Sequence, residues 1–221
     1  MSMKVRTLCL SLLFLAYGGI GAVAQDELPE LTDSLAVAFE QEPKLFGRFG
    51  STNAFITGRP VRTYGIKGGV SFGERVNVGI GYHWLKHGDT YIFDNDGVEE
   101  IRELRLSYIA PFFEYAFIHK RKWEVTIPFQ LGLGRSYELL GDTNGNGDAS
   151  ARAKRNASTV ILYEPGMAIE YRLLKYFGVG AGVGFRFMLK NNRNIDQQFT
   201  APTWELRFRI RFGQIYRDII E

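Results

Sequence analysis

The sequence predicts an all-β fold in which eight antiparallel strands close into an up-and-down barrel. Apolar residues recur at every second position, which is the period of a β-strand. The links between the predicted strands alternate between tight turns and long polar loops. The chain also combines 25 Gly with 17 Phe, 11 Tyr and 3 Trp, and its charged fraction of 23% is typical of a folded protein.

The predicted strands occupy residues 45–57, 64–72, 76–86, 104–117, 123–136, 161–171, 177–189 and 204–213. The first is the least regular, because its apolar residues do not keep one phase. In the fourth, the apolar face carries Leu104, Leu106, Tyr108 and Ala110, and the phase shifts at Pro111 so that Phe113, Tyr115 and Phe117 continue it. A shift of phase at a proline predicts a β-bulge.

The links of the predicted barrel have two lengths. Tight turns are expected at residues 73–75, 119–122 and 173–176, and long polar loops at 86–100, 141–158 and 190–202. Only the link at 58–62 is short on the side where a long loop is expected. An even number of antiparallel strands with short turns at one end and long loops at the other is typical of transmembrane β-barrels.

The N-terminus predicts export. Lys4 and Arg6 precede an apolar run that ends in the small-residue triplet at 22–24, so residues 1–24 read as a signal peptide. An uncleaved anchor helix is the alternative, which the three Gly of the run disfavour. Residues 25–43 are expected to form a periplasmic segment, with a helix in the amphipathic stretch 31–39. No later stretch has the roughly 20 apolar residues that a transmembrane helix needs.

The volume of the side chains decides which face of the predicted barrel points outward. The lumen of an eight-stranded barrel is only wide enough to be filled by side chains, and the apolar faces carry too many aromatics to fit. The opposite faces are rich in Gly, which relieves crowding in a narrow barrel. Aromatics also gather near both strand ends, as in the girdles of membrane barrels. The alternative is a soluble lipocalin-type barrel, whose apolar face points inward.

The inward face is then predicted to be charged. It carries Lys67, His83, Arg105, Glu114, Glu124, Glu164, Glu170, Arg186, Glu205, Arg207, Arg209 and Arg211. Near balance of the two signs is what a buried network requires, since an unpaired buried charge is costly. Pairing about the 173–176 turn predicts an ion pair between Glu164 and Arg186. A self-neutralising filling is favoured over a conducting or substrate-binding lumen.

Residues 45–214 resemble the small eight-stranded outer-membrane barrels, the OmpA/OmpX-like superfamily. The resemblance rests on the signal peptide, the strand count, the loop alternation, the charged Gly-rich interior and the aromatic last strand. It implies a monomer in the outer membrane of a Gram-negative bacterium, in contact with lipid and lipopolysaccharide and inserted by the barrel assembly machinery. The chain departs from the pattern after Phe212, where residues 213–221 follow the terminal aromatic. The barrel is expected over 44–214 and a tail over 215–221, without a wall-binding domain.

One loop contains half of a calcium-binding pattern. Asp142, Asn144, Asn146 and Asp148 stand at positions one, three, five and seven of an EF-hand-like loop, with Gly147 at six. The Glu expected at position twelve is replaced by Ala153. A polar turn-rich loop is the simpler interpretation, and a weak Ca²⁺ site is the alternative; no other cofactor is expected.

Catalysis is the remaining alternative, because some eight-stranded barrels modify lipid A. The histidines are His83, His87 and His119, and none has a Ser at the two-residue spacing of the deacylases. The basic turn at 119–122 is more simply a solvated turn than a lipid-phosphate site. The formal net charge of +3 gives no reason to expect a nucleic-acid partner.

The prediction is therefore a non-enzymatic outer-membrane barrel with a closed charged interior. Its role is expected to be structural, or to involve surface interactions through the three long loops. The alternatives are a narrow channel for small solutes, a soluble lipocalin-like carrier and a lipid A-modifying enzyme.

Overall fold

The computed structural model describes residues 34–56, 59–86, 90–95, 98–140, 154–190 and 199–220. A helical turn, α1, covers residues 34–39. The other elements are β1 (Lys44–Ile56), β2 (Arg59–Phe72), β3 (Val76–Leu85), β4 (Thr90–Asn95), β5 (Val98–Lys120), β6 (Trp123–Leu140), β7 (Lys154–Arg172), β8 (Phe177–Lys190), β9 (Ala201–Ile210) and α2 (Phe212–Ile220). Neither helix is long and apolar enough to cross a bilayer within the described residues.

The strands form a closed antiparallel ring of eight strand positions. Neighbours along the chain pair with each other, and β1 closes the ring by pairing with β9 from Gly47 opposite Ile210 to Ala54 opposite Thr203. β4 occupies no position of its own. It continues the line of β3, because β3 pairs with β5 as far as Trp84 opposite Ser107 and β4 pairs with the preceding part of β5. The predicted fold class is confirmed.

Side chains alternate between the two faces of the ring. Large apolar residues are exposed on the outer face of every ring strand, among them Leu45, Ile66, Ile80, Ile109, Phe129, Leu131, Leu133, Met167, Val179, Val183, Trp204 and Leu206. Charged and polar residues are buried on the inner face. This is the reverse of a soluble barrel, in which the apolar face is inside.

β5 corrects the predicted phase of the fourth strand. Leu104, Leu106, Tyr108 and Ala110 are buried inside the barrel, whereas Ile109 and Pro111 are exposed outside. The phase continues unchanged through Pro111, and the register shift lies between Ala116 and Ile118, opposite β6. A proline whose ring lies on the outer face does not disturb the alternation of side chains, provided that the strand pairing does not need the missing N–H. The bulge predicted at Pro111 is therefore wrong.

The inward apolar residues of β5 belong to a larger cluster, which we call the apolar plug. It fills the lumen toward the loop end and consists of Ala54, Val61, Leu85, Leu104, Leu106, Tyr108, Ala110, Val160, Leu162, Phe199 and Ala201. Gly132 makes room for it, since a Cβ there would lie 2.7 Å from Leu162 Cδ1 and 2.8 Å from Tyr108 Cδ2. The interior thus has a charged half toward the turns and the apolar plug toward the loops, where the buried pair of Arg102 with Glu138, at 3.3 Å, lies beside the plug.

Three further boundaries differ from the prediction. The loop expected at 86–100 contains β4 and the start of β5, which form a hairpin, and β7 begins at Lys154 inside the loop expected at 141–158. The last strand ends at Ile210 rather than at residue 213, because the chain turns into α2 at Phe212. Residues 34–39 of the stretch predicted to be helical are helical.

Candidate functional site: the barrel interior and its turn-end mouth

The charged half of the lumen is centred on Glu114 of β5. Arg48 Nη1 donates to Glu114 Oε1 at 2.5 Å, and Arg207 Nη1 lies 3.7 Å from the same oxygen. Both side chains of the first pair are almost fully buried. Arg48 Nη2 also lies 3.7 Å from Glu170 Oε2. One buried carboxylate therefore faces two guanidinium groups from neighbouring strands.

A second group of pairs lies nearer the turn end. Arg209 Nη1 donates to both oxygens of Glu124 at 3.1 and 3.3 Å, and its Nη2 donates to Asn77 Oδ1 at 2.8 Å. Arg211 Nη2 donates to Glu170 Oε1 at 2.8 Å. Charge-assisted hydrogen bonds of this kind offset the cost of burying both partners.

The two signs lie on opposite walls. Carboxylates come from β5, β6 and β7, as Glu114, Glu124, Glu164 and Glu170. The cations facing them come mainly from β9, β1 and β2, as Arg207, Arg209, Arg48 and Lys67. Most pairs therefore cross the lumen instead of running along one strand, and they tie the two walls together.

The middle of the barrel holds a smaller network around Glu164. Arg186 Nε donates to Glu164 Oε1, the pair that the strand register predicts, and Gln130 and Tyr108 donate to Oε2. His83 stacks on the Tyr108 ring with 4.7 Å between centroids and 5° between planes. Its Nε2 has no hydrogen-bond partner among the described residues. His83 is thus packed below the apolar plug rather than presented at a surface.

Of three other residues predicted to face the interior, Lys67 and Glu205 do so and Arg105 does not. Lys67 Nζ lies 5.2 Å from the centre of the Phe112 ring inside the lumen, and Glu205 pairs with Arg207 at 3.4 Å. Arg105 is not in the interior network. It stands on the face of β5 opposite the plug residues, because the loop-end half of β5 has the reverse of the predicted phase, and it pairs with Glu103 at 2.9 Å.

The sequence prediction missed Arg48 as an interior cation. β1 carries apolar residues on both faces, with Phe46 inside and Leu45 and Phe49 outside, so no phase stands out. The register supplies the missing signal, since Arg48 is directly opposite Lys67 on β2 and Arg209 on β9. A charged residue between two inward charged residues has to face inward as well.

The cavities found within the described part of the barrel are small. One of about 40 Å³ lies beside Lys67, Gln130, Glu164 and Glu205, and another of about 20 Å³ lies near Glu124 and Arg209. Because a single water needs roughly 10–15 Å³ of such volume, these spaces suit a few water molecules and no larger solute.

The turn-end mouth is built around Glu74. Gly73 and Glu74 both have φ near +57°, and Arg75 N–H donates to Phe72 O, which is the geometry of a type I′ hairpin turn. Left-handed backbone is unfavourable for Glu. The side chain compensates, since Oε2 accepts from Arg172 at 2.6 Å and lies 3.2 Å from His119 Nε2. Lys44 and α2 residue Gln214 approach Oε1 at 3.8 and 3.4 Å.

This setting shifts the pKa of Glu74. Burial raises the pKa, but the hydrogen bond from Arg172 and the positive charges of Arg172, His119 and Lys44 outweigh burial, so the pKa lies below its usual value. A carboxylate with a lowered folded-state pKa stabilises the fold above its unfolded pKa, and the stabilisation is lost as the pH falls through the folded-state pKa.

We therefore expect the free energy of unfolding of Glu74→Gln to depend less on pH at acid pH than that of the wild type. Wild type should lose stability more steeply than the variant as the pH falls below about 4.5. The free energy of unfolding of both proteins, measured by urea titration in lipid vesicles at pH 6 and at pH 3.5, checks this. Other carboxylates titrate equally in both proteins, so parallel losses would contradict the assigned role of Glu74.

The remaining predicted site residues lie either at the turn-end mouth or outside the described residues. His119 of the basic turn pairs with Glu74 at the mouth, and His87 lies outside the described residues. The candidate calcium residues Asp142, Asn144, Asn146 and Asp148 also lie outside them. Across the described ranges, no three His, Cys, Asp or Glu side chains are grouped to hold a metal ion.

Comparisons with known proteins give a fold likeness only. No protein-family model matches the chain, and no curated protein matches it at a significant level. Among solved structures, Neisserial surface protein A (NspA) is 15% identical, with a TM-score of 0.52 over 77% of this chain and 97% of that one. The N-terminal barrel domain of Pseudomonas aeruginosa OprF is 12% identical, with a TM-score of 0.43 over 76% and 98%.

A major outer membrane protein from Thermus thermophilus is also similar. It is 9% identical, with a TM-score of 0.49 over 75% of this chain and 98% of that one. Such identities carry information about the fold alone. The chain is thus an eight-stranded antiparallel barrel with the fold of small outer-membrane barrel proteins.

Proposed function

We propose that the protein is an integral, non-enzymatic outer-membrane barrel with a closed interior, and that its role is structural or lies in surface interactions at the loop end. The filled lumen carries this proposal. Cross-lumen ion pairs occupy the turn half and the apolar plug occupies the loop half. A barrel filled in this way has no room for a permeating solute, since an eight-stranded lumen is already as narrow as its side chains.

The outer surface supports membrane insertion. Its exposed apolar residues would be unfavourable in water and are favourable against lipid tails. Aromatic pairs lie toward each end of the wall, with Trp123 against Tyr171 and Phe177 against Phe208 near the turns, and Tyr82 against Trp84 near the loops. Aromatic bands at two levels are what a bilayer with two interfaces favours.

The loop end supports an interaction role. β5, β6 and β7 contain 23, 18 and 19 residues, whereas a membrane-spanning strand needs about 9–11. The surplus of β5 and the hairpin partner β4 lie beyond the level at which β3 ends. These strands therefore offer a sheet outside the membrane, on which a partner molecule could bind.

The same observations weigh against the alternatives. A narrow channel needs a continuous polar path, which the apolar plug would interrupt. A lipocalin-like carrier needs an apolar cavity, and the cavities found in the described barrel are water-sized. A lipid A-modifying enzyme needs a reactive group near the bilayer interface, and His83 is buried inside the lumen.

The test combines folding and conductance. Folded membrane barrels usually resist SDS until heated, so the outer-membrane fraction should give a band that shifts on boiling. The purified, heat-shifting protein should then leave planar lipid bilayers silent at high protein load. Stepwise conductance would overturn the closed interior, and a soluble periplasmic protein without a heat shift would overturn membrane insertion.

The interaction role has a separate test. Protease added to intact cells should cleave the chain at the loop end and leave the membrane-spanning strands protected. Cells expressing wild type should also gain binding to host-cell or matrix surfaces that cells expressing a β4–β5 hairpin deletion lack. Equal binding by both strains would leave a structural role as the function.

A further inference from the structure

Helix α2 turns its polar side toward the barrel. Gln214 Nε2 donates to Glu74 Oε1 at 3.4 Å, which attaches the helix to the mouth. Asp218 accepts a hydrogen bond from Tyr176 and forms an ion pair with Lys175, both in or beside the β7–β8 turn. Those two donors hold the pKa of Asp218 below its usual value. The helix is therefore fixed to the rim through its polar residues.

The apolar side of α2 points away from the barrel. Phe212, Tyr216 and Ile219 are 48%, 69% and 77% exposed. Their spacing of four and three residues puts them on one stripe of the helix. A helix on a water-soluble protein buries such a stripe against the core. In α2 the apolar stripe faces away from the protein instead, as does the apolar face of the barrel wall.

The stripe is continuous with the outer apolar surface of the barrel. The ring of Phe212 lies over Gly47 on the outer face of β1, where a Cβ on that glycine would be 2.7 Å from Phe212 Cε2. Leu173 and Leu174, in the turn beside Lys175, are exposed as well. The apolar wall thus extends past the last strand residues onto the helix and the adjacent turn.

Cations border this apolar extension. Lys175 is exposed next to Leu173 and Leu174, and Lys122 Nζ lies 5.9 Å from the centre of the Tyr171 ring. The acidic residue of α2, Asp218, is already paired with Lys175. An apolar stripe bordered by Lys and Arg is the pattern of helices that lie in a membrane interface, where the cations meet lipid phosphates.

We propose that α2 is an interfacial anchor, which lies in the headgroup layer of the periplasmic leaflet with Phe212, Tyr216 and Ile219 in the acyl boundary, and with Lys122 and Lys175 of the adjacent turns at anionic phospholipid phosphates. This inference rests on the proposed membrane insertion of the barrel. We assign the stripe to the lipid leaflet and not to a protein partner, because the stripe continues an apolar surface that already faces lipid. The anchor would set the depth and tilt of the turn end.

Fluorescent labelling tests the position of the helix. In a Cys9→Ser background, Ile219→Cys carries an environment-sensitive fluorophore, and Arg217→Cys on the other side of α2 is the matched control. The barrel is purified from host membranes and reconstituted in vesicles of phosphatidylethanolamine and phosphatidylglycerol. We expect the label at 219 to emit at shorter wavelength and to be quenched by headgroup-level nitroxide lipids, and the label at 217 to be quenched by aqueous iodide.

The gel shift on boiling separates the two proposals. A heat-shifting barrel whose label at 219 is quenched by iodide as strongly as the label at 217 would overturn the anchor and leave membrane insertion intact. Absence of a heat shift would overturn membrane insertion itself. Protection of residue 219 in native membranes but not in vesicles would assign the stripe to a periplasmic protein partner, and would overturn the lipid assignment.

A second variant tests the energetic role of the stripe. Ile219→Asp should leave the barrel folded and should raise iodide quenching of a label at Tyr216→Cys severalfold, because a charge in the acyl boundary is costly. Unchanged quenching in this variant would contradict the interfacial position. Replacing phosphatidylglycerol with phosphatidylcholine should weaken the protection, because Lys122 and Lys175 then meet phosphates of lipids without net charge.

Discussion

Replacing Gly134 with Val should abolish the heat-resistant folded form. Gly134 lies on the inner face of β6, opposite Tyr108 of β5. A Cβ at this position would be 2.0 Å from the carbonyl oxygen of Ser107 and 2.5 Å from Tyr108 Cβ. Overpacking normally costs about 1–3 kcal/mol when flexible side chains can move aside. Here the contacted atoms belong to a paired strand, so the β5–β6 ladder itself has to separate.

Gly68→Val is the matched control for this prediction. Gly68 is also a strand glycine, but it lies on the outer face of β2, and a Cβ added to it would meet nothing within 4 Å beyond its own chain neighbours. A valine there adds apolar surface facing lipid and favours extended backbone. SDS gels with and without boiling should show the heat shift for Gly68→Val and none for Gly134→Val. A normal shift for Gly134→Val would mean that the two strands are less closely spaced there.

Much of the fold follows from the sequence because most strands have chemically different faces. β8 and β9, and β7 from Glu164 onward, alternate between apolar residues outside and mostly glycine or charged residues inside, so their faces could be assigned from period two alone. The ion pair of Glu164 with Arg186 was also predictable, since a short turn fixes the register of neighbouring strands.

β5 shows where this reasoning fails. Its loop-end half is apolar inside, because it contributes Leu104, Leu106 and Tyr108 to the plug, and it carries Arg105 on the other face. The assumption that the apolar face is always outside then inverts the assignment. Pro111 offered a plausible place for a bulge, although the phase is continuous there. Whether an apolar face of a strand points inward depends on the assembled barrel, and the sequence of the strand alone does not show it.

The partners of the cross-lumen pairs could not be read from the sequence either. Arg48 and Glu114 are separated by 66 residues and lie on strands that are not neighbours in the ring. Which residues meet across the lumen depends on the stagger of all the intervening strands. Composition predicted a balanced interior, whereas the pairs themselves require the three-dimensional register.

Replacing Glu114 with Gln should destabilise the barrel more than Glu74→Gln does. The substitution keeps the volume but removes the negative charge that faces Arg48 at 2.5 Å and Arg207 at 3.7 Å. Breaking a buried pair by removing one partner typically costs about 3–5 kcal/mol, because an uncompensated charge remains. The free energy of unfolding, from guanidinium titrations in vesicles followed by tryptophan fluorescence, should fall by that amount.

Two companion variants identify the cause of the loss. Glu205→Gln removes a carboxylate whose side chain is 22% exposed and which pairs with Arg207 at 3.4 Å, so its cost should be clearly smaller. Adding Arg48→Met to Glu114→Gln removes the cation that is left without a partner, so the double variant should be more stable than Glu114→Gln alone. The coupling energy of the double-mutant cycle should therefore have the opposite sign to the losses of the single variants. If the double variant is as unstable as the sum of its parts, the cost lies in the packing of Arg48 and not in its charge. If it recovers, the cost of Glu114→Gln comes from leaving Arg48 buried without its partner, and this cost is the physical reason why the interior charges of the barrel have to be balanced.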